Sequence, residues 1–281
     1  MKKIIIVTLL VFGLFYMSPP SIYGEDRLNK DYRIAINKFL PSSAQLVKPE
    51  NPKSTKSIQF YDFDRDGKEE LIITFEIKAK VQPNPSQFGA IILRKENEKW
   101  EKIWETQTHG AGLDFSGLFD ITGDGVKEYL FGVTIGAAAG NNLEIFKWSN
   151  HSLNLLADVP YHRLEVITNE DVGIAVWRRY IADTYFVDVL KWNGKRMVPD
   201  EGLFVKYYPE IEKFHKEKIT KMDAWFYWYT LADAQIKANL FDDAANSIKK
   251  GVTLAEELLI PEIVKNFNQL NEKLNKKRSS N

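Results

Sequence analysis

Asp62-Phe63-Asp64-Arg65-Asp66-Gly67-Lys68-Glu69-Glu70 runs directly into Leu71-Ile72-Ile73-Thr74-Phe75. Acidic side chains at the first, third and fifth places can converge on one hard cation. Glycine at the sixth permits the sharp turn, and a carboxylate at the ninth returns from the next strand. The twelfth place is Ile73, so the loop lacks the bidentate glutamate of an EF-hand. The pattern returns as Asp120-Ile121-Thr122-Gly123-Asp124-Gly125-Val126-Lys127-Glu128, again before an apolar run, Tyr129-Leu130-Phe131. Its candidate ligands are Asp120, Thr122, Asp124 and Glu128. Thr122 removes one charge, so a turn kept for its shape, with weak or no metal, stays open here. A third position, 168–173, lacks the alternation and predicts no ion.

Around these loops the chain reads as short strands separated by turn residues. The first unit has them at 58–61, 71–77, 90–93 and 100–106, and the second at 113–119, 129–135, 143–148 and 153–159. A third unit without an acidic loop has them at 164–168, 172–179, 184–192 and 196–199. Each unit ends in a hairpin: Ile92 to Trp100, Ile145 to Leu153, and Val189 to Lys195. Asn193-Gly194 signals a type I′ turn. The spacing of the hairpins fits the scale of a four-stranded propeller blade.

The period then changes from two to 3.6. Trp225, Trp228, Ala232 and Ile236 share one face of a helix that Asp223 could cap. Ala245, Ile248, Val252, Ala255 and Leu259 mark a second helix. Pro261 suits the first turn of a third, with Ile263, Phe267, Leu270 and Leu274. The predicted fold is mainly β with a helical C-terminal part: about three four-stranded antiparallel propeller-like blades, a partial propeller, then a three-helix tail. The divisions are a signal segment at 1–24, an N-terminal helix and extended connector at 25–56, a β-repeat domain at 57–206 and the helical tail at 207–281.

The loops resemble the calcium loops of FG-GAP and VCBS-type repeats, whose pattern is D-x-D-x-D-G-x-x-D and then a hydrophobic strand. Asp62, Asp64, Asp66 and Glu70 match it, with glutamate for aspartate at the ninth place, and the resemblance implies that the Lys68 carbonyl joins them around Ca2+. The likeness covers about residues 57–203; it is specific in the first copy, fair in the second and poor in the third. It implies an extracellular β-propeller or propeller fragment used for binding or as a scaffold. The tail resembles one tetratricopeptide repeat, with Trp228, Leu231, Ala232, Ala244, Ile248 and Gly251 in place. Gln235 and Glu256 depart from that pattern. One copy cannot form a peptide-binding superhelix.

Lys2 and Lys3 precede an apolar run from Ile4 to Met17, then Ser18-Pro19-Pro20 and Gly24, which reads as an export signal. Lys plus Arg and Asp plus Glu both total 38, so global charge gives no argument for nucleic acid. The chain has no cysteine, which removes disulfides and lipid-modified cysteine alike. The aromatic run from Trp225 to Tyr229 is expected in the core. His109-Gly110-Ala111-Gly112 has no Gly-x-Ser-x-Gly partner, and there is no His-Glu-x-x-His, so serine and zinc hydrolase motifs are both missing. The expected function is a secreted, non-enzymatic, calcium-stabilised binding or scaffold module at the cell envelope, with an envelope protein or polysaccharide as partner. The alternative is an exported hydrolase of envelope polymer that works through loop carboxylates.

Overall fold

Residues of β3 (Glu70–Ile77) alternate strictly between two cores. Leu71, Ile73 and Phe75 pack toward one and Ile72 toward the other. Side chains alternate along a strand, so a strand apolar at every position is buried on both faces. The computed structural model describes residues 30–81, 84–168 and 171–280. The expected export segment, and residues 25–29 of the expected N-terminal helix, lie outside the described residues.

Three antiparallel sheets follow one another along the chain. The first holds β1 (Ala44–Leu46), β2 (Ile58–Tyr61), β3, β4 (Ser86–Glu96) and β5 (Lys99–Gly110). The second runs β6 (Gly112–Phe119), β7 (Glu128–Gly136), β8 (Gly140–Ser149) and β9 (Ser152–Tyr161), in that order. The third runs β10 (Arg163–Ile167), β11 (Gly173–Arg179), β12 (Tyr185–Trp192) and β13 (Met197–Pro199). Strands β2 to β13 each overlap an expected segment, although β4 and β5 run well beyond the expected 90–93 and 100–106. β1 was not expected; it shares one edge of β3 with β2, pairing at Phe75 to Ile77 while β2 pairs at Glu70 to Ile73. Residues 50 and 51 of the connector run parallel to β6, where Glu50 N–H donates to the Leu113 carbonyl (3.0 Å) and Asn51 N–H to the Asp114 carbonyl (2.7 Å).

The sheets stack face to face. Ile72, Ala90 and Ile92 of the first meet Leu113, Tyr129 and Phe131 of the second. Leu130, Leu143 and Ile145 on the opposite face of the second meet Ile174 and Val176 of the third. The stack has two end faces, and helices cover both. α1 (Lys30–Phe39) sets Ala35 and Ile36 on the first sheet beside Ile58 and Phe60. α2 (Glu201–Lys221) sets Leu203, Phe204, Tyr207 and Ile211 on Ala175, Trp177, Val187 and Val189 of the third. Among the described residues the sheets do not close into a propeller. Burial of the end faces by helices is the physical reason that an open stack can be stable.

The tail has four helices, not three. α3 (Trp225–Lys237), α4 (Phe241–Glu257) and α5 (Pro261–Arg278) match the expected ones, and α2 precedes them. The β region therefore ends at Pro199, short of the boundary at 206. Asp200 caps α2, its side chain accepting from the Leu203 N–H. Asp223 does not cap α3. Its carboxylate accepts from Trp228 Nε1 at 2.5 Å, and α3 starts without a side-chain cap. Trp225 and Tyr227 are buried, as a core role for the aromatic run requires.

The hairpin turns differ from expectation in one respect. Gly194 has positive φ but Asn193 does not, so the type I′ turn, which needs both, is not formed; the Asn193 side chain accepts from the Lys195 and Arg196 N–H groups instead. The positive-φ pairs that type I′ demands are Asn97-Glu98 and Asn150-His151.

Candidate metal centre

Both acidic loops are organised by their own side chains. Asp62 accepts from the backbone N–H of Asp66 (3.1 Å) and of Gly67 (2.9 Å). Asp120 accepts from those of Gly123 (2.7 Å), Asp124 (3.1 Å) and Gly125 (2.8 Å). Gly67 and Gly125 both have positive φ, the conformation glycine adopts without penalty. The ninth residue acts from the first position of the next strand. Glu70 accepts from Phe63 N–H at 2.9 Å, and Glu128 from Ile121 N–H at 2.8 Å and Thr122 N–H at 3.0 Å. Both glutamates are buried.

In the first loop Asp62, Asp64 and Glu70 each offer an oxygen, and these atoms lie within 4.8 Å of one another. Oxygens on opposite sides of a Ca2+ ion are about 4.6–5.2 Å apart, so one ion could touch all three. Asp66 stands outside this group; its carboxylate accepts from the Lys68 N–H at 2.8 Å. The Lys68 backbone belongs to the same turn. In the second loop Asp120, Thr122, Asp124 and Glu128 occupy the same turn positions, but no such three-acid group forms there among the described residues.

A protein cation enters each loop from the third strand of its own unit. Arg94 of β4 donates from Nε to Glu70 (2.8 Å) and from a terminal nitrogen to Asp64 (2.6 Å). Lys147 of β8 reaches Asp124 (2.5 Å), Thr122 Oγ1 (2.8 Å) and Glu128 (3.3 Å). Lys191 of β12 reaches Asp171 at 3.2 Å. Sequence reasoning missed all three. The signal was present in the repeated hairpins, where Arg94, Lys147 and Lys191 each follow an apolar pair: Ile92-Leu93, Ile145-Phe146 and Val189-Leu190.

Burial pushes the Glu70 carboxyl above its ordinary range, against the opposing pull of the Phe63 N–H and Arg94. Hydrogen bonding to Lys147 holds Asp124 below it. The loops also touch one another. Arg65 donates to the Gly125 carbonyl at 2.6 Å, and Lys127 N–H donates to Tyr61 Oη at 2.9 Å. Chemically the first loop offers surplus negative charge to a cation, while Lys147 already offsets much of the charge in the second.

The chain matches no protein-family model, and no curated protein is similar to it by sequence.

Proposed function

We propose that the chain is an exported, non-enzymatic binding or scaffold protein whose first acidic loop takes Ca2+. Its three sheets are read as propeller-like blades of the FG-GAP and VCBS type, its helical end as tetratricopeptide-like, and its partner as an envelope protein or polysaccharide. The observation that carries the reading is the convergence of Asp62, Asp64 and Glu70 at the root of β3. Arg94 neutralises part of that charge, and a divalent ion would neutralise the rest. Lys147 does the corresponding work at the Asp120 loop, where the ion contributes less. Extracellular calcium modules bind at about 10⁻⁴–10⁻³ M, so such a loop fills outside the cell and stays empty within it. Ion binding then adds stability only after export.

The hydrolase alternative requires two close carboxylates in a cleft apart from the loops. The cleft between β10 and α2 is lined by Glu165, Asp171 and Glu210. Arg163 and Tyr207 engage Glu165, while Lys191 and Lys206 engage Asp171, which favours a structural use of both.

The test is the melting temperature in millimolar calcium against chelator. A rise with calcium is expected, and Asp64→Ala should abolish it. An unchanged melting temperature removes the metal from the reading.

A further inference from the structure

We propose that Arg94 determines which ion the first acidic loop accepts and how tightly, by holding the two carboxylate oxygens there that the backbone leaves to side chains. This rests on the loop being a Ca2+ site, as proposed above, and assigns the residue that governs it. Every carboxylate oxygen of the three converging acids has a donor. Backbone amides serve four. Asp66 N–H bonds Asp62 Oδ1 (3.1 Å) and Asp64 Oδ1 (3.2 Å), Gly67 N–H bonds Asp62 Oδ2 (2.9 Å), and Phe63 N–H bonds Glu70 Oε2 (2.9 Å). The other two, Asp64 Oδ2 and Glu70 Oε1, accept from Arg94 at 2.6 and 2.8 Å. The amides are fixed by the turn itself, whereas a side chain can leave.

The guanidinium has somewhere to go. Its central carbon lies over the Trp148 ring of β8, 5.1 Å from the ring centre, and a terminal nitrogen stands 3.7 Å from the Glu96 carboxylate. A cation–π contact and a further carboxylate can keep the charge beside the loop once Asp64 and Glu70 are given up. Trp148 also stacks on Phe63, the second residue of the loop, at 5.5 Å. The second sheet therefore touches both the loop and its competitor.

Charge decides which ions can displace Arg94. A monovalent ion trades one positive charge for another and forfeits a two-pronged, charge-assisted contact. A divalent ion brings an extra charge to three carboxylates, and the charge of the ligand set tunes affinity in calcium sites. The Asp120 loop goes further. There Lys147 Nζ meets Thr122 Oγ1 (2.8 Å), Asp124 (2.5 Å) and Glu128 (3.3 Å), so one ammonium engages the third, fifth and ninth places at once. Arg94 engages only the third and ninth of its loop.

Isothermal titration calorimetry of the full chain with calcium chloride provides the test. Arg94→Gln should bind calcium about tenfold more tightly than wild type. Arg94→Lys keeps the charge without the fork and should fall between them. Replacing tetramethylammonium chloride by sodium chloride at equal ionic strength should weaken calcium binding in Arg94→Gln and leave wild type unchanged. Equal calcium affinity in wild type and Arg94→Gln, or equal weakening of both by sodium, overturns the proposal and leaves the metal reading standing. No calcium binding by either chain overturns both together. A second readout needs no change at Arg94: calcium should shift the tryptophan emission of the wild-type chain, and Trp148→Phe should remove the shift. Calcium binding with no shift, or with a shift that survives Trp148→Phe, means that Arg94 stays in place and overturns the proposal.

Discussion

Glu70 is 1 % exposed, yet it meets both the Phe63 amide and the Arg94 guanidinium. A buried carboxylate stripped of its partner costs about 3–5 kcal/mol. Arg94→Met is therefore expected to lower the urea unfolding free energy by about that amount, with part of the loss recovered in calcium. Lys147→Met should cost less, because two backbone amides and the Thr122 hydroxyl still satisfy Glu128. A second residue sets a pH limit. His215 is fully buried on α2 near Thr230, and burial lowers its pKa from 6.5 to about 4. The unfolded chain then binds the extra proton between those values. Stability is complete above pH 6.5 and falls as the pH drops toward 4, by on the order of 3 kcal/mol from this group. Urea unfolding at pH 7 and pH 4.5 should show the loss, and His215→Leu should reduce it.

At the scale of elements, the turns carry removable strain. Asn150-His151 closes the β8–β9 hairpin with both residues at positive φ. A non-glycine residue in that region is disfavoured by about 1–2 kcal/mol. His151→Gly is expected to raise the unfolding free energy by about 1 kcal/mol, read from the urea midpoint. Such turns explain why twelve strands were legible: short apolar runs, some alternating and some buried on both faces like β3, are separated by turn residues. β1 was not, because Ala44-Gln45-Leu46 carries no pattern of its own and becomes a strand only through the free end of β3. α2 shows a helical stripe at Leu203, Phe204, Tyr207, Tyr208 and Ile211, but Pro209 sits inside it and normally ends a helix. Within the loops the acids could be read from spacing. Arg94 and Lys147 could not, since their reach depends on which strand lies beside which.

The whole molecule is a stack whose end faces are apolar sheet surfaces. On the α2 side, Lys237 secures the helices further. It donates to the Val187 carbonyl and the Asp188 carboxylate, both at 2.8 Å, and pairs with Asp233 at 3.0 Å. Removing residues 200–281 would bare Ala175, Trp177, Val187 and Val189. Exposed apolar patches of this kind drive association. The truncated chain is expected to aggregate or oligomerise in light scattering under conditions in which the full chain does not.

The pairing of Glu50 and Asn51 with β6 has a further consequence in time. A ribosome delivers the chain N-terminus first, so these residues are already waiting when the second sheet's opening strand emerges. That strand is shielded from the moment it can form. In a circular permutant that carries residues 30–56 at the far end, the same edge would stay bare until synthesis was complete, and neighbouring nascent chains would have time to find it.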